Sequence, residues 1–312
     1  MILEPNEYSK KEKEYEENLR ILNIAVSFFS SLGFNEFLVR KTLATSDGKM
    51  VSVDLIAASI HDGKIKECLL TEAKSGKNID IEQLRRYHKI QKSYVEEELG
   101  KQMENKTVCL LTTNENSTKQ NILKQINSDN TLKKTVVIGF EMGAHSNIAE
   151  QYFGKFKTDS FNFQKKNNIK HPRRIVTILC DFDETLWFKF IFTNLQTEAD
   201  RNAEISQEYH FTLKDVSTLK RNEVVTYIDE EKLLNVLILG ELLDICSFNS
   251  TLSCFVLNLK PKNDQSRRVY YNKLNSFITS LNEKFTDVNE LKRKIEHRKK
   301  VVSLKPRELF KT

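Results

Sequence analysis

Two Asp-Gly pairs, Asp47-Gly48 and Asp62-Gly63, punctuate three runs of strand-forming residues, and this pattern constrains the fold more than any other feature of the chain. The runs are EFLVRKTLA (36–44), MVSVDLIAAS (50–59) and KIKECLLTEAKS (64–75). Asp-Gly tolerates the positive φ angles of tight hairpin turns, so the strands on either side fold back on each other. The expected product is an antiparallel three-stranded meander. Before it, residues 10–32 carry apolar side chains at helical spacing. Leu19, Leu22, Val26 and Phe29 form one stripe, with Ile21, Ile24, Phe28 and Leu32 beside it, and the pattern stops at Gly33, a residue suited to ending a helix.

After the meander, Gly76-Lys77-Asn78 breaks the pattern. Residues 79–99 read as one long polar helix ending at Gly100, with Leu84, Tyr87, Ile90, Tyr94 and Val95 on its buried side. TVCLLT (107–112) and TVVIGF (135–140) are continuous apolar runs, as in strands covered on both faces, and a helix at 117–126 separates them. The order α-β-β-β-α-β-α-β predicts an α/β fold, a mixed β-sheet flanked by helices. The polar, aperiodic stretch KTDSFNFQKKNN (157–168) sets the expected domain boundary, giving domains 1–160 and 161–312. The second reads as α+β: a strand-like run at 174–193 interrupted by Asp183-Glu184, a helix at 230–246, a strand at 252–259, and helices at 265–285 and 288–300.

Composition narrows the class. Of 312 residues, 39% are apolar and 29% charged, and 19 Phe and 9 Tyr supply enough large side chains to build cores, which excludes disorder throughout. The five cysteines are odd in number, form no C-x-x-C pair and mostly sit in apolar runs, so free buried thiols in a reducing compartment are expected. The first residues, MILEPNEYSKKEKEYEE, hold no apolar signal segment, and the most apolar stretch (233–245) is cut by Glu241 and Asp244. A soluble cytoplasmic protein without membrane contact is the expectation.

The chemistry-bearing residues lie in the meander. Asp54 is in the second strand; Glu72 and Lys74 are in the third and, two apart, share a face. Two neighbouring carboxylates repel, and a hard divalent cation relieves that repulsion; Mg²⁺ takes one or two carboxylates plus water and phosphate oxygens, with Mn²⁺ expected to substitute. Such an ion acidifies water and neutralises charge on a phosphodiester, while a nearby ammonium orients the water or stabilises the developing charge. Parity decides whether Asp54 and Glu72 can meet. A plain two-residue turn at Asp62-Gly63 pairs Asp54 with Thr71 and points it away from Glu72. A three-residue loop pairs it with Leu70 and restores the shared face; a β-bulge in either strand does the same. The expectation is the three-residue loop or a bulge, with the carboxylates of Asp54 and Glu72 close enough to share one ion and Lys74 beside them.

Asp in the second strand and Glu-Ala-Lys in the third, within α-β-β-β-α-β, resemble the PD-(D/E)XK nuclease superfamily over about residues 10–140, with Val53 in place of the proline of that name. Gln83 and Tyr87, four apart on the following helix, resemble the Gln-x-x-x-Tyr motif of the RecB-like branch. The resemblance implies a restriction-endonuclease-like core and a Mg²⁺-dependent endonuclease that hydrolyses DNA, of restriction, defence or repair type. It implies catalytic roles for Asp54, Glu72 and Lys74, metal binding by Asp54 and Glu72, and supporting roles for Gln83 and Tyr87. An acidic residue on the first helix is often found facing the metal; Glu17 is the candidate, with Glu14 and Glu16 as competitors. A RecB-like exonuclease, an RNA endonuclease, and a catalytically inactive DNA-binding module with the same fold remain alternatives.

In the second half, Asp181-Phe182-Asp183-Glu184-Thr185 after an apolar run resembles the first motif of haloacid-dehalogenase-type phosphatases. The rival reading is a hairpin turning at Asp183-Glu184, which the strand-like residues 187–193 favour. The six histidines show no ligand spacing. The net charge is +6, and residues 285–312 hold nine Lys or Arg against four Asp or Glu. A basic helix carrying Lys292, Arg293, Lys294, Arg298, Lys299 and Lys300 is therefore a candidate phosphate-contacting surface, set against a merely solvated helix face. Recognition of DNA or formation of a homodimer is the expected role of this domain.

Overall fold

The computed structural model describes residues 5–74, 79–113, 115–143, 147–163, 166–169, 184–202, 208–217, 225–226, 230–260, 263–285 and 287–303. The chain divides into two compact units. One comprises Glu14–Asp181 with Asn222–Tyr227; the other comprises Met1–Lys13, Phe182–Arg221 and Ile228–Thr312.

The first unit is a mixed sheet flanked by helices. Helix α1 (Pro5–Ser31) leads into the meander β1 (Glu36–Ala44), β2 (Met50–His61) and β3 (Lys64–Lys74), followed by α2 (Ile81–Lys89), α3 (Lys92–Leu99), β4 (Met103–Thr113), α4 (Asn116–Asn127), β5 (Val136–Met142), β6 (Asn147–Phe153) and β7 (Asn167–Ile169). The sheet order is β7-β6-β5-β4-β3-β2-β1, and Val225–Thr226 adds an eighth, parallel strand beside β1. The meander is antiparallel as the Asp-Gly turns require, while β3, β4 and β5 run parallel.

Two apolar layers sandwich this sheet. On one face Phe28 of α1 meets the ring of Phe140 at 6.2 Å and that of Phe163 at 4.9 Å. On the other, Leu84, Tyr87 and Ile90 join Val95, Leu99, Ile122 and Ile126 in one buried cluster with Val53, Ile56, Leu70, Val108 and Val137 of the strands. The single helix expected over 79–99 is in fact two. Ile90 is extended (ψ 123°) and bridges Thr45, and Ser46 N donates to the Lys89 carbonyl at 2.9 Å, so the first hairpin turn pulls the chain out of helix there. Residues 157–168, polar and aperiodic in sequence, stay within this unit: Phe161 is buried with its ring 4.6 Å from Phe34, and Asn167–Ile169 is the edge strand.

The second unit combines α5 (Glu184–Asn202), β8 (Tyr209–Phe211), α6 (Leu213–Ser217), α7 (Glu230–Leu242), β9 (Cys246–Asn249), β10 (Cys254–Leu257), α8 (Asp264–Asn275), α9 (Phe277–Lys284) and α10 (Val288–Ser303). Its three strands form an antiparallel sheet in the order β9-β10-β8. The strand-like run at 187–193 is helix, which corrects the hairpin reading. Leu186, Trp187, Phe188, Ile191, Phe192, Leu195 and Ala199 recur at helical spacing and are buried, and this packing outweighs their β propensity. Asp181, Phe182 and Asp183 lie outside the described residues. Cys68, Cys109, Cys246 and Cys254 are free and buried, as expected. Among the described residues no helix is long and apolar enough to cross a membrane.

Gly240 marks the closest approach of α7 to α5: a Cβ there would lie 2.1 Å from Cζ of Phe192. That ring is fully buried and stands 4.8 Å from Phe188, so it has nowhere to retreat. Alanine gains about 1 kcal/mol of helix propensity over glycine, but overpacking costs about 1–3 kcal/mol. Gly240→Ala is therefore expected to lower the urea midpoint; an unchanged or raised midpoint would show that the α5–α7 contact yields.

Candidate active site

The shared face of Asp54 and Glu72 depends on one inserted residue. Asp62 and Gly63, at φ 51° and 74°, make a two-residue turn, so His61 pairs with Lys64 and Ile60 with Ile65. The next pair is Ser59 with Glu67, which leaves Lys66 as the extra residue of a β-bulge. The register then runs to Leu55 opposite Thr71, and one step further sets Asp54 against Glu72. The three-residue loop does not form, and Leu70 pairs with Ile56 instead of Asp54. The bulge restores the parity.

At that step the ladder gives way to side chains. Asp54 Oδ2 accepts the backbone N–H of Ala73 at 2.7 Å, and Asp54 Oδ1 accepts from Nη1 of Arg40. Arg40 sits between the β1–β2 pairs Val39–Leu55 and Lys41–Val53 at φ 54°, a left-handed backbone that costs a non-glycine residue about 1–2 kcal/mol. Sequence reasoning missed Arg40, because an arginine in a strand looks like any exposed cation until its backbone geometry turns it onto Asp54.

Glu72 is equally enclosed: Asp54 is 2% exposed and Glu72 1%. Lys74 Nζ lies 2.8 Å from Glu72 Oε1, and the Tyr87 hydroxyl donates to Oε2 at 2.6 Å. That hydroxyl also reaches the Ser52 carbonyl at 2.8 Å and accepts from Gln83 Nε2 at 3.3 Å. Helix α2 presents both residues on one face, and Asp80 caps its start by accepting from Gln83 N at 2.9 Å. Burial first, then the Asp54 charge, pushes the Glu72 carboxyl up to about 7 against the opposing pull of Lys74 and Tyr87. Burial lowers the Lys74 ammonium, but the Glu72 carboxylate outweighs it and holds Lys74 above its ordinary value. Burial, followed by the two carboxylates, raises the Tyr87 phenol well above its usual range, so it stays a donor.

The structure thus brings together five of the residues singled out in the sequence, Asp54, Glu72, Lys74, Gln83 and Tyr87, and adds Arg40. Glu17 is half-buried on α1 and makes no hydrogen bond or ion pair with them. In the second unit, α10 spends part of its charge on α7. Arg298 makes two bonds to Glu241, at 2.7 and 2.5 Å, and Lys299 meets Glu231 at 3.0 Å and Glu296 at 2.8 Å. Lys292, Arg293, Lys294 and Lys300 remain exposed.

Among the described residues no three His, Cys, Asp or Glu side chains gather into a metal-ligand group. Two facing carboxylates nevertheless suit a hard ion whose other ligands are water or substrate oxygens. Burial raises Glu72 most and the Asp54 charge adds to it; that second contribution is the kind a divalent cation relieves. The donor set fits Mg²⁺ or Mn²⁺, which Asp54 and Glu72 would hold. No family model, no curated protein and no solved structure matches this chain.

Without metal, the raised Glu72 pKa makes stability pH-dependent. The folded state holds this proton more tightly than the unfolded chain, whose Glu titrates near 4.5. The contribution is complete below that value and is lost as pH rises through about 7. In EDTA, wild-type protein should lose on the order of 3 kcal/mol between pH 5 and 8 through this group, and Glu72→Gln should flatten that loss. Equal slopes of denaturant stability against pH in the two proteins would refute the assignment.

Proposed function

We propose that the first unit is a Mg²⁺-dependent DNA endonuclease of the PD-(D/E)XK kind, with a restriction-endonuclease-like core formed by α1, the meander, α2 and β4. The observation that carries this reading is the burial of Asp54 and Glu72 on adjacent strands with Lys74 2.8 Å from Glu72. Asp54 and Glu72 would hold the ion. When bound, it would supply an acidified water and neutralise charge on the phosphodiester. Lys74, 32% exposed at the mouth of the site, is placed to orient that water or meet the charge that develops on phosphate oxygens. Tyr87 and Gln83 fix the Glu72 carboxylate, and Arg40 balances Asp54. The exposed cations of α10, Lys292, Arg293, Lys294 and Lys300, are the proposed phosphate contacts of the second unit; Arg298 and Lys299 position that helix.

A second reading is supported by Arg40. A guanidinium already seated on Asp54 also suits a non-catalytic DNA-binding module in which the ion pairs serve only the fold.

Supercoiled plasmid incubated with Mg²⁺, Mn²⁺ or EDTA separates the two. The nuclease reading expects cleavage with either metal and none in EDTA, and a loss of at least about 100-fold in Asp54→Ala, Glu72→Gln and Lys74→Ala, the scale seen when one preorganised charge is removed from an active site. With linear duplex as substrate, products that shorten only from free ends would make it an exonuclease, and cleavage of single-stranded RNA but of no DNA substrate would make it a ribonuclease. Plasmid shifted but uncut under every condition would establish the binding module.

A further inference from the structure

A second cluster of charge lies away from the carboxylates. A cavity of about 930 Å³ in the first unit is lined by His88 at the end of α2, Lys106 in β4, Lys133 and Lys134 before β5, and Lys155 and Lys157 after β6. Three separate segments converge lysines on one volume, and among the described residues no carboxylate lines it. Lys106 pairs in register with Cys68, whereas Lys74 pairs with Thr112; six residues of strand put the cavity about 20 Å from the catalytic end of the sheet.

The cavity is held in shape by its walls. Gly154, at φ 73°, passes so close to the strand that a Cβ would lie 2.3 Å from the Thr135 carbonyl oxygen. His88 Nε2 is 2.9 Å from Thr135 Oγ1, and Lys106 Nζ donates to the carbonyls of His88 and Ile90. Lys133 is tied to Asn130 Oδ1 at 2.8 Å. Of the acids that border it, Asp129 is committed to Arg85 at 2.7 Å, and Glu67 accepts from Thr107 Oγ1 at 2.5 Å and from Thr158 N at 2.9 Å. Lys134, Lys155 and Lys157 make no ion pair among the described residues. The crowding leaves its mark: burial, then Lys157, lowers Lys106 to about 8, and burial, then Lys106 and Lys134, lowers His88 to about 4.

We infer that this cavity is a binding site for a small polyphosphate, a di- or triphosphate chain, separate from the candidate nuclease centre. The volume is that of a small-molecule site. The lysines line one enclosed volume, whereas a nucleic-acid track would string them along a stripe, and among the described residues no Phe, Tyr or Trp lines the cavity to stack a base. Lysine meets phosphate as a point charge, and a chain of phosphate groups answers several such charges at once.

Isothermal titration of the full chain with inorganic tripolyphosphate, with EDTA present, is the test. Saturable one-site binding is expected. The combined variant Lys134→Ala, Lys155→Ala, Lys157→Ala, all at exposed positions, should weaken it at least about tenfold, or 1.4 kcal/mol. Asp54→Ala should bind as wild type does, so a failed nuclease reading leaves this result standing. Absence of saturable binding overturns the proposal, as does an unchanged affinity in the triple variant. Oligonucleotide binding that is lost in the triple variant, but not displaced from wild type by tripolyphosphate, would assign the cleft to nucleic acid and overturn it too.

Discussion

One extra residue in β3, Lys66, sets the geometry of everything at the far end of the meander. The Asp62-Gly63 turn alone imposes a register that sends Asp54 and Glu72 to opposite faces. The bulge shifts every later pair by one, so the two carboxylates face each other five residues beyond it. The site is then built by what the pair requires. Two buried negative charges side by side need cations, and Arg40 and Lys74 supply one each. They also need hydrogen bonds, which come from the Ala73 N–H and the Tyr87 hydroxyl. The left-handed backbone of Arg40 and the enclosed phenol of Tyr87 are consequences of that requirement.

Much of this was legible in the chain. The Asp-Gly turns placed β1, β2 and β3 nearly to the residue, and Glu72 with Lys74 followed from strand alternation. Gln83 and Tyr87 stand out through the resemblance to the Gln-x-x-x-Tyr motif, and the structure joins them to Glu72 through one hydroxyl. Other features were hidden for physical reasons. A bulge has no composition of its own: Lys66 looks like its neighbours, so the sequence leaves the parity of the β2–β3 pairing open. Residues 187–193 are rich in strand formers, and only packing on several sides makes them helix. The break at Ile90 comes from a bridge to Thr45, forty-five residues away. The lysines of the basic cavity are scattered from 106 to 157 and converge only once β4, β5 and β6 are assembled.

The two clusters of charge in the first unit have opposite logic. At the carboxylates, negative and positive groups are matched in buried pairs, and removing one partner leaves an uncompensated charge that costs about 3–5 kcal/mol. At the cavity, like charges face one another with their counterion supplied from outside. The first arrangement holds itself together and exchanges Arg40 for a metal only if the metal binds better; the second is completed by whatever anion enters.

A crystal grown with Mn²⁺ tests that exchange directly. An anomalous scattering peak is expected between the carboxylates of Asp54 and Glu72, with the Arg40 guanidinium moved off Asp54. A map with no peak there, and Arg40 still seated on Asp54 at saturating Mn²⁺, would contradict it.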